Sequence, residues 1–360
     1  MNRIPRTASV RDMVSSASCP KPRDMSVDMV KGMAITLVVF GHALQGMIHR
    51  AWWSTPESAA IEAFIYSFHM PAFFFVSGLF VGKSLKRRTS AQFLFSKFET
   101  LLYPYLLWLF IDMAQQPLTA RFRSSSVIVS PLSYFRQAFT GDQSWFLECL
   151  FFCMVLTLLT AKLPDWLRAL LAVLVCVLTP ATGITAVDYL VREWAFVAIG
   201  QLVGSRIATL EQLQKSYATI VLLALISIQL GAVMFLSPVL ALSPLRSRLL
   251  FLFLGLTGTA GLFCVTRLLH ATKLAVLIAW TGEASIAIYV LSPYFQGGTR
   301  EAILLLFHTH LPLPHLLLTT AITTLGPAWL WHQRLRLHIG WLFRWGSERA
   351  SKPEAIAAAT

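Results

Sequence analysis

Charge is what this sequence has least of. Only 13% of its 360 residues are Asp, Glu, Lys or Arg, against about 25% in an ordinary soluble domain. Hydrophobic residues make up 56% and the mean hydropathy is +0.63. That excludes a water-soluble globule, which has no way to hide so much apolar surface. Cysteine is scarce too. Cys19, Cys149, Cys153, Cys176 and Cys264 are odd in number and contain no Cys-x-x-Cys pair, and four of them lie in apolar runs. They read as small core residues and not as a disulfide or metal framework. A Gly-rich phosphate loop of the P-loop or Rossmann kind is missing, so any anion site must be built from side chains. The Gly-x-Ser-x-Gly elbow and a paired active-site carboxylate motif are missing as well, which argues against hydrolase chemistry. Residues 1–26 are polar and basic and lack the apolar core and small-residue cleavage site of a signal peptide. The first span is therefore expected to serve as its own insertion signal.

What the sequence does have is long apolar runs. They predict an all-α polytopic membrane helical bundle of about ten spans, each near the ~20 residues that cross the hydrocarbon. The runs lie at 27–49, 62–82, 94–114, 144–161, 167–185, 189–207, 217–238, 248–269, 274–296 and 312–331. The organisation expected is an N-terminal tail (1–26), a transmembrane domain (27–331) and a C-terminal tail (332–360). The longest connection, 115–143, is expected to be an external loop with some short helix. The formal net charge of +13 comes from basic residues scattered between spans. That fits topology, with Lys and Arg held on the cytoplasmic side, and not nucleic-acid binding. Counting them places both termini in the cytoplasm, and the expected setting is a bacterial inner membrane.

The first span, "VDMVKGMAITLVVFGHALQGMIHR" (27–50), keeps three ionisable side chains in an apolar helix. At ~100° and ~1.5 Å per residue, Lys31 and His42 lie three turns plus about 20° apart, with Asp28 on the same stripe. Such residues are costly in a membrane and normally face a bundle interior or an aqueous cavity. The stripe thus suggests a polar path running inward from the cytoplasm. The plainer alternative is an interfacial Asp28–Lys31 pair and a core histidine. The second span, "EAFIYSFHMPAFFFVSGLF" (62–80), adds His69, followed by Pro71. A proline there removes a backbone donor, bends the helix and frees carbonyls near the histidine. The depths of His42 and His69 match, so neighbouring helices can bring both imidazoles to one cavity. Glu62 precedes His69 by a heptad and faces the same way. Ser77 and Gly78 suit close helix packing.

At these residues the sequence resembles the acyltransferase-3 family of membrane-bound O-acyltransferases. Lys31, ten residues and His42 resemble that family's basic-X10-His motif. "SFHMPAFFFVSGLF" resembles its second-helix signature, "KFETLLYPYLLW" (97–108) its third helix, and "SWFLECLFF" (144–152) its Trp-Phe-Leu segment. "TGEASIAIYVLS" (281–292) is similar to its late Gly-x-x-Ser-x-x-x-Tyr segment. The likeness covers most of residues 27–295. The wording is closest to the fucose 4-O-acetylase-like branch, which includes a rhizobial nodulation acetyltransferase. Three positions depart from the pattern: Lys31 where Arg is common, Thr100 where a basic residue is frequent, and Ser292 where many members have His. The resemblance implies transfer of an acyl group, usually acetyl from acetyl-CoA, to a sugar hydroxyl. It carries the family's basic residue and histidine over to Lys31 and His42. In the nodulation-like branch the acceptor would be fucose on a lipo-oligosaccharide.

Transfer from a thioester to an alcohol needs a base, a stabilised oxyanion and a grip on the donor. His42 is the expected general base, since an imidazole titrates near working pH. His69 can orient it, hydrogen-bond the oxyanion or hold the sugar. Lys31 is the expected donor contact inside the bundle. Arg87, Arg88 and Lys97 suit the phosphates of acetyl-CoA from the cytoplasmic face, although plain topological anchoring accounts for them too. Trp145, Glu148 and Glu62 are the candidate acceptor-binding residues, with an interfacial belt as the other explanation of Trp145. "HTHLPLPH" (308–315) fits no zinc spacing, so no metal is expected. The competing function is a transporter or flippase for a lipid-linked glycan, which would also need intramembrane His, Lys and Glu. It would favour inverted repeats with broken spans in matching halves, and the sequence has no such repeat.

Overall fold

The computed structural model describes residues 25–119, 130, 132–133, 145–206, 218–231, 244–307 and 311–346. Asp142, His308, His310, Cys19, most of the N-terminal tail and the end of the C-terminal one lie outside these residues, as does most of the expected 115–143 loop. Within them the chain is helical, with no strand. Thirteen α-helices are used here: α1 (Met25–His49), α2 (Pro56–Tyr66), α3 (His69–Arg87), α4 (Ser90–Lys97), α5 (Tyr103–Thr119), α6 (Trp145–Leu159), α7 (Asp165–Leu178), α8 (Thr185–Gly204), α9 (Ala218–Gly231), α10 (Pro244–Leu269), α11 (Lys273–Glu283), α12 (Ser285–Phe307) and α13 (Pro312–Gln333). A π-helical turn, Phe98–Leu102, joins α4 to α5.

Each expected span has a helical counterpart among the described residues. Among the described residues four stretches are long and apolar enough to cross a membrane: Met25–His49, Pro56–Arg87, Ser90–Gln115 and Ser247–Leu269. A fifth exists if the bent pair α11 and α12 counts as one span. Among the described residues α6 and α7 have 15 and 14 residues, about 21–23 Å at ~1.5 Å per residue. The expected ninth span, 274–296, is two helices meeting at 79° around Ala284.

Helix α1 is the centre of the bundle, contacted by α2, α3, α10, α11, α12 and α13. Glycines let its neighbours and those of α3 come to backbone contact. A Cβ on Gly78 of α3 would lie 2.2 Å from the Val197 carbonyl oxygen, and Cβ atoms on Gly200 and Gly204 of α8 would meet Phe75 and Leu79 oxygens at 2.1 and 2.2 Å. The small-residue packing expected at Gly78 is thus the α3–α8 seam. Ser77 instead faces a cavity.

The second span is broken as the proline predicts. α2 ends at Tyr66, and Phe68, at φ −142° and ψ −19°, is not helical. A buried polar clamp holds the break. Ser67 Oγ donates to the Phe64 carbonyl at 2.6 Å and accepts from Gln229 Nε2 at 2.7 Å, while Thr257 Oγ1 donates to Gln229 Oε1 at 2.8 Å. Replacing Gln229 with leucine removes the buried hydrogen bonds that tie Ser67 to Thr257, at about 0.5–1.5 kcal/mol each. The expected result is a lower unfolding midpoint in detergent, read by tryptophan fluorescence.

Candidate active site

The break in the second span builds one half of the site. Pro71 has no N–H, and the interruption at Ser67–Phe68 opens the helix just before His69. The Ile65 carbonyl then takes a hydrogen bond from the His69 ring, Nδ1 to oxygen 2.7 Å. A carbonyl only accepts, so the ring proton sits on Nδ1 and the lone pair of the neutral imidazole is on Nε2. His69 is buried, at 2% exposure.

His42 is exposed, two-thirds of the way along α1. Tyr66, the last residue of α2, stands between the two imidazoles. Its ring meets His42 edge-on at 6.0 Å and His69 edge-on at 4.8 Å. The two histidines are therefore no further apart than those distances combined. Matching depth, read from the sequence, does put them together. The Tyr66 hydroxyl lies 3.3 Å from His42 Nδ1 and 3.2 Å from Gln45 Oε1. Gln45 Nε2 donates to Glu62 Oε1 at 2.9 Å. Glu62, expected as an acceptor-binding group, is thus bonded to α1. Gly41 makes room for the tyrosine: a Cβ there would lie 3.0 Å from Tyr66 Cε2.

Below the histidines the same seam opens into a cavity of about 130 Å³. Lys31, Ile35 and Val38 line it from α1 and Met70, Phe73 and Ser77 from α3. On α1 these positions continue the stripe that ends at His42, so the cavity points along the path the spacing predicts. Lys31 also pairs with Asp28 at 3.5 Å, so the interfacial pair and the cavity contact coexist in one residue. The far wall carries Ser285 and Tyr289 of α12. Sequence reasoning left both without a role. The available signal was their place in the late Gly-x-x-Ser-x-x-x-Tyr segment, but a straight ninth span gave no reason to turn them toward Lys31. The 79° bend at Ala284 does so. Gly282, two residues earlier, lies so close to α1 that a Cβ on it would be 1.8 Å from the Asp28 carbonyl oxygen.

The remaining candidates are more scattered. Arg87 and Arg88 are exposed at the end of α3, and Arg88 Nη1 donates to Ser96 Oγ at 2.7 Å. Lys97 lies over the buried Phe93 ring at 5.5 Å, one turn before Leu101, a cavity residue. Trp145 packs on Tyr189 at 4.2 Å and stacks near Phe74 at 6.2 Å, so much of its ring is occupied by the protein itself. Glu148 is 5% exposed and accepts from the Tyr105 hydroxyl. Neither Trp145 nor Glu148 lines the Lys31 cavity, although Phe146, Leu147 and Leu150 of the same helix do. Among the described residues no group of three His, Cys, Asp or Glu is placed to hold a metal ion.

The family comparison decides what this arrangement belongs to. An acyltransferase domain family matches residues 25–332. The chain is a member of that acyltransferase family. The match spans α1 through all but the last residue of α13, so both histidines, Lys31 and the cavity wall lie within the acyltransferase domain. The chain is also similar to the nodulation protein NolL of Sinorhizobium fredii, 33% identical over 192 residues, which are 51% of this chain and 50% of that protein. A NolL of Mesorhizobium japonicum is 38% identical over 97 residues, 25% of each chain. The longer match thus covers about half the length of the relative. No solved structure matches significantly.

Proposed function

We propose that this acyltransferase is a membrane O-acetyltransferase of a bacterial inner membrane that moves acetyl from acetyl-CoA to a sugar hydroxyl. One observation supports it most: the stripe of α1 that carries Lys31, Ile35 and Val38 along a largely apolar cavity ends at His42, which Tyr66 links to His69. At about 130 Å³ the cavity is well below the roughly 300–1,000 Å³ of a drug-sized site. That suits a thin pantetheine-like arm and leaves the nucleotide outside. The phosphates then meet the exposed Arg87 and Arg88 and nearby Lys97 on the cytoplasmic side, with both termini on that side. Lys31, Ser77, Ser285 and Tyr289 supply polar contacts for the arm.

In the reaction His42 Nε2 takes the proton as the sugar oxygen attacks the thioester carbonyl. The carbonyl oxygen takes up the negative charge as the new carbon–oxygen bond forms; His69, whose one ring proton is committed to the Ile65 carbonyl, offers it no donor. The carbon–sulfur bond then breaks, and the imidazolium returns its proton to the departing sulfur. His69 stays neutral, its ring held by the Ile65 carbonyl, and serves as an orienting or sugar-holding group. Both relatives bear the name nodulation protein. We extend that to the acceptor, a glycan or lipo-oligosaccharide, with fucose on a nodulation signal as the first candidate. Glu148 and Trp145 are carried as acceptor contacts at the mouth of α6.

Mass spectrometry of surface and secreted glycans, with and without this chain, tests the reading. The acetylated species should lose one acetyl group when the chain is deleted. Unchanged acetylation, with glycan missing from the outside, would instead indicate a transporter. A second expectation concerns the donor. Lys31→Gln should raise the KM for acetyl-CoA about tenfold while leaving kcat within a few-fold, because a charge contact made before the transition state is uniform binding. Steady-state kinetics on purified enzyme in nanodiscs measures it.

A further inference from the structure

We infer that Tyr66 and Gln45, anchored by Glu62, are positioning residues that hold His42 with its proton on Nδ1 and its lone pair on Nε2. The inference deepens the acetyltransferase reading and rests on His42 being its base. It follows from hydrogen-bond polarity along one chain of side chains.

The chain starts at Glu62. An ionised carboxylate only accepts, so the 2.9 Å contact must come from the amide NH2 of Gln45. That orients the amide and leaves Gln45 Oε1 as an acceptor. The Tyr66 hydroxyl, 3.2 Å away, fills it with its one proton. His42 Nδ1, 3.3 Å from the same hydroxyl oxygen, must then be the donor. The neutral imidazole that results carries its lone pair on Nε2, the state a general base requires. Both phenol contacts are long, as hydrogen bonds of a catalytic group often are before substrate binds.

The surroundings are shaped for this. Gly41 lets the phenol ring approach α1 to a distance no other residue permits without displacement. Tyr66 is the last helical residue before the break that the Ser67–Gln229–Thr257 clamp holds. The hydroxyl height therefore depends on the break and on α9 and α10, outside the catalytic pair. The same ring packs edge-on against His69, 89° between planes. One tyrosine thus sets the spacing of both imidazoles and the tautomer of one. Its polar partners come from α1 and α2 alone, and neither Gln45 nor Glu62 lines the cavity around Lys31.

Tyr66→Phe tests it, since the ring, the Gly41 contact and the His69 packing survive and only the hydroxyl goes. Expected is a fall in kcat of about tenfold or more, with the KM for acetyl-CoA within about twofold and an unchanged unfolding midpoint. Glu62→Gln should keep most activity, because its amide oxygen still accepts from Gln45, whereas Glu62→Leu should match Tyr66→Phe. A wild-type kcat in Tyr66→Phe overturns the inference. Ring nitrogen NMR of the 15N-histidine-labelled protein reads the tautomer without any turnover, with the His42 signals identified by their loss in His42→Ala. A proton on Nε2 of His42 in the unmodified protein overturns the positioning role even where acetyl transfer is demonstrated. A proton on Nδ1 that becomes mixed in Tyr66→Phe supports it, even in a protein that fails to transfer acetyl and so refutes the wider reading.

Discussion

Acetyl transfer is expected to fall by at least about 100-fold in His42→Ala, with the amount of protein in the membrane unchanged. The size follows from the chemistry. A sugar hydroxyl is a poor nucleophile, and a positioned base contributes typically about 10²–10⁴-fold. Removal of the positioned base forfeits that factor. The unchanged level follows from the structure. His42 is exposed, and the contact it makes with Tyr66 is a long 3.3 Å bond and an edge-on ring contact. The residue thus contributes little to folding. His69 is a different case. It is 2% exposed and its ring satisfies the Ile65 carbonyl, so His69→Ala removes a buried hydrogen bond and leaves a small cavity. That variant is expected to lose stability as well as activity. Quantitative immunoblotting of membranes beside a transfer assay separates the two. Full activity in His42→Ala would remove His42 as the base and shift that role to His69 Nε2.

Gly282→Ala should disrupt both fold and site. α1 and α11 cross backbone to backbone. A Cβ at 282 would lie 1.8 Å from the Asp28 carbonyl oxygen and 2.9 Å from the Gly32 nitrogen; one at Gly32 would lie 1.9 Å from the Ile278 oxygen. These are main-chain atoms of packed helices and have no rotamer to escape into, so the helices must separate. Overpacking of this kind costs about 1–3 kcal/mol and occasionally more. The separation also moves the start of α12, and with it Ser285 and Tyr289, away from Lys31. A melting temperature lowered by roughly 1–4 °C, together with reduced transfer, is the expected outcome. Gly46→Ala and Gly297→Ala serve as controls, because nothing lies within 4 Å of a Cβ at either position. Equal melting temperatures for Gly282→Ala and these controls would mean that the α1–α11 contact is looser than described.

Much of the site was legible because it rests on single helices. Lys31 and His42 share a stripe by arithmetic alone. Pro71 announced the break, since a missing N–H acts within a turn of where it stands. The pairing of His42 with His69 needed only matching depth and short connection. The path from Lys31 upward was legible for the same reason, and the cavity along Ile35 and Val38 follows it. Other parts were not legible. Glu62 faces His69 on a helical wheel, yet its hydrogen bond goes to Gln45 across the α1–α2 interface, where wheel geometry says nothing. Trp145, read from its place near a helix end, is packed against Tyr189 and Phe74. How much of each apolar run faces lipid was not legible either, because an apolar run marks burial without saying whether lipid or protein covers it.

The sequence by itself determined the class: a charge-poor, all-helical chain with an ionisable stripe in its first helix and a proline-broken second helix. These are local properties, written in composition and in spacings of a few turns. Only the tertiary structure decided which groups surround His42 and Lys31. Tyr66, Gln45 and Glu62 meet because α2 lies against α1. Ser285 and Tyr289 face Lys31 because the chain turns by 79° at Ala284 and Gly282 lets α11 touch α1. A bend angle and a helix crossing depend on contacts between residues hundreds of positions apart, and no local pattern encodes them.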